Sequence, residues 1–365
     1  MSTHTPKFDQ AQALLYHARA ATPFSSEDGE AYASVPAGID SRRVLPLRSD
    51  AFRAWLTNNF YSEYDTAPSA EAFRAALYTL EARARHGESP AQRVDYRLGF
   101  EGDPFLPSKI FLDLANDSGE LVEITSKGWR TTDNLQHNFR QSSTTLPIPN
   151  PIAGRQPLTA FATLFRLTDA NRTRAFAWLA AALRSTGPYP ILVLTGPAGS
   201  GKSVLARALR SLVDPSTEPV RSPPKNDREL RRLAFNNWVL VFDRVHRIPS
   251  KIAGPIILIG PCNETGSLVN RALTIDLPHI RAPRAEAALW SEFEALRPAL
   301  TAALCDAVAT ALSRIRDIDA VHVARLADCA TWAVAAAPSL GLDLTAIVEA
   351  FANPNSAAQS QASRY

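Results

Sequence analysis

Cysteine is scarce in this 365-residue chain and does not pair up. Cys262, Cys305 and Cys329 form no CxxC, which excludes a zinc knuckle. Their odd number and wide spacing also exclude a disulfide framework, and a reduced cytoplasm suits them. His17, His86, His137, His246, His279 and His322 stand apart from one another, with no HxxxH or HExxH spacing, so no metal is assigned beyond one carried by a nucleotide. No G-x-S-x-G elbow supports a serine hydrolase. Apolar runs fall short of the roughly 18–20 residues of a membrane span. The most apolar stretches, AFAWLAAAL and TAALCDAVATAL, are short and interrupted. The segment MSTHTPKFDQ lacks the basic-then-apolar pattern of a secretion signal, so a soluble protein of the cytoplasm, without a membrane partner, is expected. No repeat with a period of roughly 20–50 residues occurs. Neither sign of charge dominates: 39 basic residues face 36 acidic ones, giving +3 and a pI near 8.8. That mild excess fits a polyanionic partner and an ordinary solvated surface equally.

What is present is enough apolar residue, 45%, to build real cores. Residues 8–20 and 50–85 carry helical spacing, with Ser69 as an N-cap and Glu71 in the first turn. The Ser-, Pro- and Gly-rich stretch 23–48 between them reads as loop. From 93 the period becomes that of strands: RVDYRLGF, KIFLDL, ELVEIT and GWRTTD form a β-meander over about 93–132, with Trp129 packed on it. Residues 141–157 hold four prolines and read as a linker. Two helices follow within 158–185, then an α/β segment, then a helical last third: PRAEAALWSEFEALR, PALTAALCDAVATALSRI, VARLADCATWAVAA and LTAIVEAFA. The expected domains are 1–145 (α+β), 155–285 (a core with two leading helices) and 286–352 (helical), before a flexible tail at 353–365.

One motif is strong. GPAGSGKS, residues 196–203, matches G-x-x-x-x-G-K-[ST] at each defined place, between a buried-strand pattern (191–195) and a helical one. Glycines 196, 199 and 201 let successive backbone amides turn toward phosphate oxygens, and the following helix start adds positive partial charge. Gly196, Pro197, Ala198, Gly199, Ser200, Gly201, Lys202, Ser203 and Val204 are therefore the expected nucleotide-binding residues, with ATP as the ligand. Lys202 would reach the β- and γ-phosphates, and Ser203 would ligate Mg²⁺. Forty residues after Ser203, WVLVFD ends in Asp243, the expected second holder of the metal.

Together PYPILVLTGPAGSGKS, RSPPKNDRELRRLAFNNWVLVFD, NRALTIDLP and RLADCATWAVAAAPSLG resemble bacterial ATP-binding proteins of prophages and mobile elements. These are P-loop ATPases of AAA+ type related to superfamily 3 helicases and phage primase–helicases. The segments KIFLDLANDSGELVEITSKGWR and LPIPNP resemble the region ahead of the ATPase in that family, so the likeness spans roughly residues 10–350. It implies an α/β fold of P-loop NTPase (AAA+-like) type, a parallel sheet flanked by helices, with an α+β N-terminal domain and a helical C-terminal region. It also implies ATP and Mg²⁺ as cofactors, Asp243 as the Walker B acid, and a homo-oligomer, with a hexameric ring as one form. Arg271 falls where ring-forming relatives place an arginine that reaches the neighbouring subunit's nucleotide; an ordinary surface arginine is the other reading.

Three departures qualify the resemblance. Arg244 follows Asp243 where hydrolytic relatives carry glutamate, and a guanidinium cannot take a proton from water. Asp227 or Glu229 are the nearby candidates for a base. Ile259 ends the run Ile256–Ile259, where a polar sensor is expected, and cannot hydrogen-bond; Asn263 is the nearest substitute. Only Arg244–Pro255 separate the two apolar runs, which leaves no room for a DNA-gripping pore hairpin. Arg221, Lys225, Arg228, Arg231 and Arg232 form the densest basic cluster, readable as a DNA phosphate contact, a subunit interface or a solvated face. Three functions stay open: an ATPase derived from a mobile-element replicative helicase acting with DNA or a DNA-bound complex, a nucleotide-binding scaffold with little or no hydrolysis, and a small-molecule kinase.

Overall fold

The computed structural model describes residues 9–37, 42–87, 90–133, 137–245, 254–260, 271–282, 284–323 and 326–352. Asn263, Cys262, His246 and the tail 353–365 lie outside the described residues. By contacts the chain divides into two compact units: Met1–Tyr96 with Asp117–Gly119 and Asp133–Ser143, and the remainder.

The first unit opens with α1 (Gln10–His17), whose N-terminal amides are capped by Asp9. Three antiparallel strands follow: β1 (Thr22–Ser25), β2 (Ala31–Pro36) and β3 (Arg42–Pro46). They occupy the stretch read from sequence as loop. The strands are short, carry small residues at Ala31, Ala33 and Ser34, and contain prolines 23, 36 and 46, so the alternation is faint although Ala33 and Val35 are buried. Helices α2 (Asp50–Tyr64) and α3 (Ala70–His86) complete the unit. Their N-caps are Ser49 and Ser69, each accepting a first-turn amide. Phe52, Leu56 and Phe60 of α2 recur at helical spacing and fill the core with Leu14 and Leu80. A two-residue strand β4 (Val94–Asp95) pairs in parallel with β9 (Asn138–Phe139).

The second unit holds a meander and a parallel sheet. β5 (Leu98–Gly102), β6 (Pro107–Asp113), β7 (Leu121–Thr125) and β8 (Gly128–Thr132) pair antiparallel in sequence order. The meander thus starts at Leu98 and not at 93: Arg97 adopts φ +62, which separates β4 from β5. Trp129 is half-buried on β8, and its indole Nε1 donates to Asp306 at 2.8 Å.

The parallel sheet contains β10 (Ile191–Thr195), β11 (Leu240–Asp243), β12 (Ile256–Ile259) and β13 (Ala272–Asp276), in the order β11-β12-β10-β13. Both faces are covered, so these strands read as continuous apolar runs. Leu192, Leu194, Val241, Ile257 and Ile275 enter the main core; Val193, Leu240, Phe242 and Leu258 enter a second core on the other face. Helices α4 (Pro157–Leu164), α5 (Asp169–Ala182) and α6 (Lys202–Ser211) contribute to the main core, and α7 (Asp227–Phe235) to the second. α5 is apolar around most of its girth and lies in the interior, with Phe176 and Trp178 fully buried.

The C-terminal helices are α8 (Glu286–Arg314), α9 (Ala327–Leu340) and α10 (Leu344–Ala352). α8 joins the two segments expected as separate helices, because Pro298 sits inside it without ending it. A proline there removes one intrahelical amide. Apolar residues on both sides, Phe293 and Leu300, stay fully buried, so packing outweighs that loss. The merged helix is long and apolar enough to cross a membrane by length and composition, which the separated segments were not; 56% of its most apolar window is buried inside the protein.

Candidate functional site

The site grows from the end of β10. Burial of Ile191–Leu194 fixes the strand, and Thr195 marks its edge. The backbone then turns at Gly196 with φ +131. A Cβ here would stand 2.2 Å from the Leu277 carbonyl oxygen, so only glycine lets the loop pass the segment after β13. Gly199 and Gly201 are left-handed as well, at φ +78 and +84. Gly201 is the N-cap of α6 and brings no side chain to its first-turn amides. Those amides carry the positive end of the helix dipole. Pro197, Ala198 and Gly199 are exposed, Ser200 is buried, Ser203 is exposed and Val204 half-buried. The Lys202 ammonium folds over the loop, donating to the carbonyls of Gly196 at 2.8 Å and Pro197 at 2.7 Å.

Two carboxylates flank this strand at the same edge of the sheet. Asp243 pairs with Ile259, which pairs with Leu194. Asp243 is thus level with the end of β10 and two strands away, roughly 10 Å at ordinary strand spacing. Its Oδ1 accepts the Arg244 amide at 2.8 Å. Arg244 is exposed with φ +55, and Ile259 is 2% exposed. On the other side Asp276 pairs with Thr195, and its Oδ1 accepts the Thr195 hydroxyl at 2.9 Å. Asp276 had no role in the sequence reading. Its signal was an apolar run ending in acid, ALTID, of the same form as VLVFD.

An apolar pocket of about 290 Å³ adjoins the loop. Leu164 and Phe165 come from the end of α4, Ile280 from the segment after β13, and Leu289 from α8; Gly199–Gly201 close it on the loop side. Phe165 is held by ring contacts to Phe161 and Phe293, at 4.6 and 5.9 Å between centroids. A three-residue cluster ties α6 to the start of α8. The Arg207 guanidinium lies 4.6 Å from the Trp290 ring centroid and donates to Glu286 at 2.9 Å. The Trp290 indole donates to the same carboxylate at 3.0 Å. Hydrogen bonds from Trp290 and Arg207 hold the Glu286 carboxyl below its ordinary range.

Residues 158–276 match the family model of the actinomycete integrative conjugative element replication protein. The match runs from α4 through β13 and takes in the loop, Asp243 and Asp276. Two solved structures of the C-terminal region of NrS-1 are similar at 10% identity. One has a TM-score of 0.39, with 81% of this chain and 68% of that chain covered. The other, of NrS-1 residues 305–718, has a TM-score of 0.37, with 80% and 67% covered. No curated protein matches the sequence.

The remaining sequence candidates are spread out. Arg271 immediately precedes Ala272, which pairs with Ile191 at the start of β10. It therefore stands at the opposite edge of the sheet from the loop, and its Nη2 donates to the Tyr189 carbonyl at 3.2 Å. Arg221 extends the outer edge of β11: its amide donates to the Val241 carbonyl at 3.0 Å, its carbonyl accepts the Asp243 amide at 2.9 Å, and its side chain pairs with Glu218. Lys225, Arg228, Arg231 and Arg232 are exposed around α7. The positions 228, 231, 232 and 235 form one face of that helix, and Leu230 and Leu233 are buried on the other. Of the two acids considered as bases, Asp227 is exposed in the first turn of α7, and the Glu229 carboxylate accepts the Lys225 amide at 2.8 Å.

Proposed function

We propose that this chain is a P-loop protein of AAA+ type that binds ATP with Mg²⁺ and serves the replication of a mobile element in the cytoplasm, in contact with DNA or a DNA-bound complex. The observation that carries this reading is the loop 196–203: three left-handed glycines, an uncapped helix start, and a lysine ammonium lying over the loop carbonyls. The match of residues 158–276 to a replication protein family supports the process.

The residues present fit such a ligand. Gly196–Val204 would wrap the phosphates, with loop amides as donors. Lys202 would exchange two carbonyl oxygens for phosphate oxygens. Ser203 and Asp243 would hold Mg²⁺, whose charge offsets that of the phosphates when bound. The exposed arginines of α7, with Lys225 and Arg221, would meet the DNA backbone. Homo-oligomerisation, a hexameric ring being the form the resemblance implies, would let Arg271 act on another copy's nucleotide.

A second reading is favoured by one specific feature, the pair Arg244 and Ile259. Arg244 cannot take a proton from water and Ile259 cannot hydrogen-bond it, and they occupy the positions beside Asp243. A nucleotide-binding scaffold with weak or no hydrolysis follows from that. ATP binding and turnover by the full chain, with and without DNA, test both readings against Lys202→Ala. Lys202-dependent turnover supports the ATPase. Lys202-dependent binding without turnover supports the scaffold. Absence of nucleotide binding sinks both.

A further inference from the structure

We infer that the nucleotide site reads the triphosphate and not the base, so that it accepts nucleoside triphosphates as a class. This rests on the reading of the 196–203 loop as a phosphate cradle. It concerns the pocket next to that cradle.

The pocket's size is that of a single heterocycle, at the low end of the range for ligand cavities. Its free wall is hydrocarbon: Leu164, Phe165, Val204, Ile280 and Leu289. Four polar side chains also line it, and each makes at least one contact within the protein. Arg166 donates to the Ala282 carbonyl at 3.2 Å. Arg284 is paired with Glu292. Glu286 accepts from Arg207 and Trp290. Ser200 accepts from Lys202 at 3.4 Å.

Base identity is carried by donors and acceptors on the ring edge. A site built to hydrogen-bond such an edge rejects the wrong one by roughly 10⁴-fold or more, because its own polar groups are then left unpaired. In a hydrophobic pocket one methylene more or less is worth only about 10–200-fold. Phe165, held by Phe161 and Phe293, lines the pocket, and stacking on an aromatic ring tolerates every base because every base has a π-face. Purines cover more of the wall than pyrimidines and bind better on area alone.

Equilibrium binding of ATP, GTP, CTP and UTP to the full chain with Mg²⁺ tests this, with Lys202→Ala as the control for phosphate-dependent binding. All four are expected to bind through Lys202, with ATP and GTP within about ten-fold and the whole set within about 100-fold. A spread of more than about 100-fold, or binding confined to one nucleotide, overturns the inference while leaving the loop reading intact. No binding by any nucleotide overturns the loop reading itself. Phe165→Ala is expected to weaken all four by at least about five-fold; a loss restricted to one base overturns the inference. Leu289→Ala, on a different helix, carries the same expectation should the Phe165 variant fail to fold.

Discussion

The Arg97 Nε stands 3.3 Å from Asp214 Oδ1, with 1% and 0% of the two side chains exposed and a sequence separation of 117. Asp214 also takes the amides of Trp238 and Val239 at 2.8 and 3.1 Å, and Arg210 lies 3.8 Å from its other oxygen. Arg97 donates onward to the carbonyls of Asp113 and Leu146. One buried carboxylate therefore ties the meander and the proline-rich segment to the end of α6 and the entry to β11. Removing one member of such a cluster leaves uncompensated charge, at a cost of about 3–5 kcal/mol. Asp214→Asn, which preserves volume, is expected to lower the melting temperature by roughly 10 °C. Thermal unfolding followed by circular dichroism checks this; a shift under about 3 °C contradicts it.

Gly196→Ala tests the loop's close approach to Leu277. The added methyl would overlap a backbone oxygen, and φ +131 is unfavourable for alanine, so the loop must move. Triphosphate affinity is expected to fall at least about ten-fold while helical content is retained. Titration calorimetry against circular dichroism separates the two effects.

Arg207→Ala frees the start of α8 from the loop helix. The ion pair is exposed and screened by solvent, so its contribution to stability is small. The pocket wall at Glu286 and Leu289 loses its anchor, and nucleotide affinity is expected to drop several-fold with melting temperature nearly unchanged. Trp290 loses its guanidinium neighbour, so its fluorescence reports the change directly.

Asp95 gives the first unit a pH dependence. Burial pushes its carboxyl up to about 6, against the pull of Arg93 and Arg140 and with a small further push from Glu27. The folded state thus holds this proton more tightly than the unfolded chain. The burden of the charged carboxylate is fully present above about pH 6 and is relieved as pH falls toward about 4. The gain is at most of order 2–3 kcal/mol. Denaturant unfolding of that unit between about pH 7 and about pH 4.5 is expected to show rising stability from this group, and Asp95→Asn is expected to flatten the trend.

Charge reversal on α7, Arg228→Glu with Arg232→Glu, is expected to weaken DNA binding across all sequences. It should also reduce the slope of log affinity against log salt by roughly one unit for each phosphate the helix no longer neutralises. An unchanged slope assigns that helix face to something other than DNA.

Legibility from sequence followed how local the governing physics is. Strand β10, the glycine loop and α6 were readable because strand burial, positive φ and helix start all fall within one short stretch of chain. The Ser69 cap was readable for the same reason. β1–β3 were not, since small residues and prolines mute the alternation that marks a strand. The break at Arg97 was invisible because arginine gives no local signal for a positive φ, and its side-chain partner Asp214 lies far along the chain. Pro298 suggested an end to a helix that tertiary packing carries through. The apolar pocket had no motif at all: its walls come from α4, the segment after β13 and α8, and only folding gathers them.

The position of Arg271 has a consequence for assembly. About five residues of strand, roughly 16 Å, separate its edge of the sheet from the loop's edge. Within one copy the two never serve each other. Any nucleotide that Arg271 touched would belong to another molecule. A two-fold dimer could use that geometry reciprocally, each copy's Arg271 facing the other's loop. A head-to-tail contact would instead repeat, and the turn between successive copies would decide whether the series closed into a ring or ran on as a filament.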